Sequence, residues 1–326
     1  MVFNNTKIIE EAKLVFDKEI EAIRKTRDAI DGNYCSLLKK ISQCQGKIIF
    51  VAIGKPGHIG NKLAATFASL GLPAFFMHPA EAMHGDLGMV SSEDIVIMMS
   101  YSGESTEVIS LLPALRQIGC TIIAITGREK SKLAENSNYK FVFPRFEEAC
   151  YMHLAPTSST SALLVLGDSI AVVSSHLKHY TKEDFALHHP AGSLGKKLLV
   201  RVGDIMHHNQ ENSYVIEGTS LKDAIIEMTK KGLGIVSIVD NEGKLKGIIT
   251  DGDLRRLLTK NIDVYKPNVD DVMTRTPKVI TVDAKAVDAL QIMTDNRIIS
   301  MPVIDIKNKA VGILLMADII RTGIVR

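Results

Sequence analysis

From Lys7 to about Ser42, apolar residues recur at Ile8, Ala12, Val15, Phe16, Ile20 and Ile23, the spacing of a helix face, and the segment predicts two helices. The pattern then changes. Short unbroken apolar runs at 48–53, 74–77, 95–99, 122–125 and 141–143 alternate with helical segments at about 58–70, 105–118 and 158–178. Runs that are apolar without alternation suit strands of a parallel sheet covered on both faces. The rhythm predicts a doubly wound α/β domain, an αβα sandwich whose ligands lie beyond the carboxyl ends of the strands. The most apolar long stretch, 161–177, is interrupted by Asp168 and several serines, and it predicts a buried helix rather than a membrane span.

The C-terminal part contains a repeat. Ala224-Ile225-Ile226-Glu227-Met228 aligns with Ala289-Leu290-Gln291-Ile292-Met293 at an offset of 65 residues, and Val239-Asp240 aligns with Ile304-Asp305 at the same offset. Gly247-Ile248-Ile249 and Asp253 align likewise with Gly312-Ile313-Leu314 and Asp318. Each unit predicts strand, helix, strand, strand, helix, opening with Asp204-Ile205-Met206 or Asp271-Val272-Met273. Neither can bury a full core alone, so the two should pack as a pair. This α+β half resembles a tandem of cystathionine-β-synthase-type (CBS) domains. The boundaries this implies are 1–202, 203–262 and 263–326.

Composition narrows the functional classes. With 39 basic and 37 acidic side chains, the net charge of +2 provides no electrostatic case for nucleic acid or a membrane surface. Cys35, Cys44, Cys120 and Cys150 have neither C-x-x-C nor zinc spacing, which suits reduced thiols in a cytoplasmic protein. The charged, amphipathic N-terminal segment is unlike a signal peptide.

The chemistry gathers in strand-end loops. Ser100-Tyr101-Ser102-Gly103-Glu104-Ser105-Thr106-Glu107 follows a buried run and opens a helix, a concentration of hydroxyls suited to a phosphate. The bland alternative is an ordinary helix cap with solvated neighbours. Gly54-Lys55-Pro56-Gly57-His58-Ile59-Gly60 has neither the P-loop nor the G-x-G-x-x-G register, and Lys55 faces substrate or merely solvent. His78 to Gly88, Glu147-Glu148-Ala149-Cys150 with Leu154 to Thr160, and His188-His189-Pro190-Ala191-Gly192 complete the set. Carboxylates and histidines beside a phosphate cradle, without a metal motif, point to proton transfer on a phosphorylated substrate.

These motifs together, GKPGHIG, HPAEAMHGDLGM, SYSGES, EAC with LAPTSST, and DFALHHPAGSLGKKLL, resemble the sugar isomerase (SIS) domain of arabinose-5-phosphate isomerases, which also carry a CBS pair. The resemblance covers nearly the whole chain. It implies an aldose–ketose isomerase that interconverts D-ribulose 5-phosphate and D-arabinose 5-phosphate without a redox cofactor and supplies synthesis of the eight-carbon acid Kdo. The family's essential lysine falls on Lys55, its glutamates on Glu107 and Glu148, and its histidine on His189. Gly54, His84, Ser100, Ser102, Ser105 and Thr106 match its substrate and phosphate contacts. Pro56, Tyr101 and Ala191 depart from the family pattern.

Either Glu148 or His189 would serve as the C1/C2 base. Lys55 would stabilise the enediolate or orient phosphate, and Glu107 would position hydroxyls or Lys55. No metal is required, although one could inhibit near His78, His84 and His189. Thr250, Asp253 and Asp318 match CBS positions that hold a ribose, so the pair either senses a nucleotide or nucleotide-sugar or serves assembly alone. The resemblance further implies a homotetramer. The rival readings are a non-catalytic phosphosugar sensor and an isomerase of another phosphosugar; no basic helix-turn-helix supports a regulator.

Overall fold

The computed structural model describes residues 4–260 and 265–324. The boundary expected between 262 and 263 lies outside the described residues. The chain forms two compact units, Met1–Phe185 and Ala186–Arg326.

The first unit begins with α1 (Asn5–Asp28) and α2 (Gly32–Ser42), each started by a side-chain cap, from Asn4 and Asp31 respectively. Then follow β1 (Ile48–Val51), α3 (Lys55–Ser69), β2 (Ala74–Met77), α4 (Pro79–Met83) and β3 (Ile95–Met99). After them come α5 (Thr106–Ile109), α6 (Leu112–Ile118), β4 (Thr121–Thr126), α7 (Lys132–Glu135), β5 (Tyr139–Val142) and α8 (Ser158–Leu177). The strands form one parallel sheet in the order β2-β1-β3-β4-β5. Alternate residues feed two cores. Ile48, Phe50, Ile95 and Ile97 pack with α1, α2, α3 and α8, whereas Ile49, Val51, Val96 and Met98 pack with α5 and α6. Helices therefore cover both faces, as the unalternating apolar runs require.

The helix expected over 105–118 is broken into α5 and α6. Pro113 stands in the first turn of α6, where it can donate no hydrogen bond to an α5 carbonyl, so the helix restarts there. By length and composition α8 could cross a membrane, but it packs against α1, α2 and α3 with Ala162, Leu163, Leu166 and Ile170 buried.

At the amino ends of the strands, buried Asp94 accepts from the Lys47 N–H (2.7 Å) and the Ser91 N–H (2.8 Å) and pairs with the Lys47 ammonium (3.4 Å). Burial alone would raise its pKa. The donors of Lys47 and Ser91 and the Lys47 charge overcome that, and they hold the carboxyl below its ordinary value.

A short helix, α9 (Lys182–His188), leads into the second unit. That unit contains α10 (Ser193–Leu199) and the two-residue β6 (His207–His208). The first repeat is β7 (Tyr214–Ile216), α11 (Leu221–Lys231), β8 (Ile235–Val239), β9 (Leu245–Thr250) and α12 (Asp251–Thr259). The second is α13 (Val269–Val272), β10 (Ile280–Thr281), α14 (Ala286–Asp295), β11 (Ser300–Ile304), β12 (Ala310–Leu315) and α15 (Met316–Arg321).

The opening segments are exchanged between the repeats. Val202, Ile205 and Met206 join the core of the second repeat, and β6 pairs with β12 through His207 and Ile313. Val269 and Met273 join the core of the first, and Thr274 bridges to Ile248 in β9. Both crossings run over a glycine. A Cβ on Gly247 would lie 2.7 Å from Met273 Sδ and 2.9 Å from the Thr274 oxygen, and one on Gly312 would lie 2.7 Å from the His207 oxygen and 2.9 Å from Met206 Sδ.

Gly247→Ala and Gly312→Ala should each destabilise the second unit by about 1–3 kcal/mol, read in urea melts. Asp94→Asn should cost about 1–3 kcal/mol at neutral pH. Because the folded-state pKa is lowered, wild-type stability from Asp94 is present above about pH 4 and lost as pH falls through the lowered value. The gap between the two proteins should therefore narrow in melts at acid pH.

Candidate active site

Strand order reverses direction of growth between β1 and β3, with α3 on one face of the sheet and α5 and α6 on the other. Such a switch point leaves a crevice at the carboxyl ends of the two strands. The loops after β1 and β3 are its lips, and both were singled out by their residues.

After β1, Gly54 caps α3 at φ +66, and Lys55 and Pro56 form the first helical positions. Lys55 is exposed. After β3, the buried Ser100 organises the next loop. Its Oγ lies 2.8 Å from Ser105 Oγ and 3.4 Å from Ser102 Oγ, and it accepts from the Gly103 N–H at 3.1 Å. Ser102 accepts in turn from the Glu104 N–H. Ser105 stands at the N-cap of α5 but makes no cap bond, its hydroxyl being turned to Ser100. Gly103 sits at φ +67, and a Cβ there would meet Ser131 Oγ at 2.2 Å, so only glycine closes this turn. Thr106 and Glu107 form the exposed first turn of α5.

Glu148 is half-buried in the loop after β5 and reaches the start of α8. Its Oε2 accepts from the Thr157 N–H (2.7 Å), the Thr157 hydroxyl (3.2 Å) and the Ser159 N–H (3.2 Å). A carboxylate from a neighbouring loop thus caps a 20-residue helix, where backbone N–H groups and the dipole both favour negative charge.

Residues of these loops meet at one place, although Lys55, Glu107 and Glu148 are not themselves among its lining residues. Pro56, Ser100, Tyr101, Ser159, Thr160 and Phe143 line one small cavity, joining the loops after β1 and β3 to the first turn of α8. Tyr101 stacks on Phe143 at 6.3 Å between ring centroids and packs against Phe146 at 5.8 Å, which is why a large aromatic fits among the loop serines. Burial pushes the Tyr101 phenol up from its ordinary value, and the nearby Glu148 charge adds to the rise. Sequence reasoning assigned no role to Thr157, Ser159 or Thr160. Their signal was a run of hydroxyl residues after Pro156, at the start of an apolar helix.

The remaining candidates are placed as follows. His84 is the exposed C-cap of α4, which packs against α5. His78 caps the other end of α4, its Nδ1 accepting from the Ala80 N–H at 3.2 Å. His189 belongs to the second unit, where its carbonyl oxygen accepts from the Gly192 N–H. Among the described residues, no three His, Cys, Asp or Glu side chains gather to hold a metal.

In the second unit, Thr250 and Asp253 cap α12 reciprocally. Asp253 Oδ2 accepts from Thr250 N (2.8 Å) and Oγ1 (2.6 Å), and its Oδ1 pairs with Arg256. Asp318 Oδ2 lies 2.8 Å from His207 Nε2 and Oδ1 lies 3.1 Å from Arg321. Asp318, His207, Met206 and Thr322 line an open depression.

The SIS domain family model matches residues 40–173, and the CBS domain model matches 202–260 and 269–324. The chain is 42% identical over 320 residues to the arabinose 5-phosphate isomerase KdsD of Pseudomonas aeruginosa, covering 98% of each. It is 44% identical over 313 residues to KdsD of Escherichia coli K12, covering 96% of this chain and 95% of that one. An E. coli CFT073 protein solved in complex with arabinose 5-phosphate superposes with a TM-score of 0.56 at 42% identity, over 58% of this chain and all of the other. Similarity of this extent, over both the SIS and the CBS parts, makes the chain a member of the arabinose 5-phosphate isomerase family.

Proposed function

We propose that the chain interconverts D-arabinose 5-phosphate and D-ribulose 5-phosphate in the cytoplasm, as a homotetramer supplying Kdo synthesis. The observation that carries the reaction is near full-length similarity to arabinose 5-phosphate isomerases in a chain whose matching loops converge at one switch-point cavity. The four cysteines are free thiols, which suits a reducing compartment.

The reaction is internally balanced. A base removes the proton from C2 of the aldose, an enediolate forms, and a proton returns to C1 while a hydroxyl proton passes from O2 to O1. No electrons leave the substrate, so no redox partner enters. Ser100, Ser102, Ser105 and Thr106 can donate hydroxyl hydrogen bonds to the phosphate oxygens. Their mutual bonds hold the first three at one place. Glu148 supplies a carboxylate whose Oε2 is anchored, suited to the C1/C2 proton. Lys55 and Glu107, on the first turns after adjacent strands, suit stabilisation of enediolate charge and orientation of hydroxyls. His189, carried by the second unit, keeps the proton-transfer role that the family motif assigns to it.

For the CBS pair we propose a nucleotide at Asp318, supported by the open depression beside that carboxylate.

Purified protein should form ribulose 5-phosphate from arabinose 5-phosphate. Lys55→Ala, Glu148→Ala and His189→Ala should each lower kcat by about 10²–10⁴-fold with unchanged circular dichroism. Phosphosugar binding without turnover in the wild type would replace the enzyme by a sensor. Calorimetry with adenine and cytidine nucleotides should show binding that Asp318→Ala abolishes; no heat from any of them would leave the pair an assembly role.

A further inference from the structure

Thr157 is the N-cap residue of α8, yet its hydroxyl does not cap that helix. The hydroxyl turns to the preceding loop, donating to Glu148 Oε2 (3.2 Å) and accepting from the Cys150 N–H (3.2 Å). With its hydrogen and a lone pair both committed, the side chain is held in one rotamer. It links the chain on either side of the loop between Glu148 and the helix.

The rest of the loop is pinned from the other direction. His153 stands at φ +53, and its Nδ1 lies 3.0 Å from the Glu148 carbonyl oxygen. The Glu148 backbone and carboxylate are thus fixed by different partners. All three donors to the carboxylate meet one oxygen, Oε2, and among the described residues Oε1 accepts no hydrogen bond. Ser159, which donates to Oε2, and its neighbour Thr160 also line the cavity with Pro56, Ser100 and Tyr101. The arrangement clamps one oxygen of the carboxylate to the helix start and leaves the other without a hydrogen bond among the described residues.

We infer that Thr157 is a positioning residue that orients the Glu148 carboxylate for proton transfer, an inference resting on the reading of Glu148 as a group of the isomerase site. The backbone N–H groups of Thr157 and Ser159 keep Glu148 at the helix start whatever residue stands at 157. The hydroxyl adds a third donor to Oε2 and also accepts from the Cys150 N–H, which ties the loop carrying Glu148 to the helix start and so sets the angle of the carboxylate. Loss of the hydroxyl therefore misaligns the base without removing it. Turnover falls, whereas substrate affinity and folding, which do not depend on that angle, change little. A misplacement of about 1 Å in such a group costs on the order of 10²-fold in rate.

The test compares kcat and KM on arabinose 5-phosphate for the wild type, Thr157→Val, Thr157→Ala and Thr157→Ser, with circular dichroism and thermal midpoints alongside. The isosteric Val and the Ala variants should lose about 10–100-fold in kcat with KM nearly unchanged. Thr157→Ser, which keeps the hydroxyl, should restore kcat to near the wild-type value. If Val does not fold, the comparison of Ala with Ser decides. Wild-type kcat in the Val or Ala variant, a Ser variant as impaired as they are, or a loss that tracks the fraction unfolded would overturn the positioning role while leaving the isomerase intact. A wild-type chain without turnover would overturn the isomerase reading, and this inference with it.

Discussion

A sheet buried on both faces leaves its strands no room for chemistry, and the rest of the first unit follows from that constraint. Every residue of β1 and β3 is buried, with successive side chains sent to opposite helix layers. The polar groups associated with these two strands are therefore confined to their ends. At the amino ends, Asp94 joins Lys47 to Ser91 with charge-assisted bonds inside the fold. At the carboxyl ends, β1 and β3 send their following helices to opposite faces, and the two loops that flank this gap carry the hydroxyls and the lysine.

The helix α8 connects this framework to the candidate base. Its apolar face fills the core with Ala162, Leu163, Leu166 and Ile170, so its position is set by burial. Its first turn then offers N–H groups at a fixed place. Glu148 takes them, and a carboxylate is held by the same element that completes the core. Core packing and site geometry are one arrangement here, since a shift of α8 would move both.

The repeats solve a different problem. A unit of this size has too little apolar surface to close on itself. Each repeat lends its opening segment to the other, Val202 and Met206 in one direction and Val269 and Met273 in the other. Only a residue without a side chain fits beneath each crossing, which accounts for Gly247 and Gly312 at equivalent positions of the repeat. Pairing is thereby built into the core of each repeat and does not rest on surface contact alone.

Much of this was legible in the chain. The unalternating runs at 95–99 and 74–77 coincide with β3 and β2, because a strand covered on both faces must be apolar at every position. The offset of 65 marked the repeats, and the family motifs marked Lys55, Glu107, Glu148 and His189 for testing. Other features depended on distances that no local pattern carries. Pro113 announced a break only weakly, since proline is also tolerated in the first turn of a helix. Nothing near His207 or Thr274 shows that each pairs with a strand of the other repeat. Glu148 and Thr157 lie nine positions apart in a loop without periodicity, and their bond exists because the α8 core brings the helix start to that carboxylate. The sequence by itself determined which residues are apolar, which loops are rich in hydroxyls and which family they mark, because those properties are local. Which hydroxyl holds which carboxylate was decided only when burial had placed the elements, because a hydrogen bond depends on position to within a fraction of an ångström.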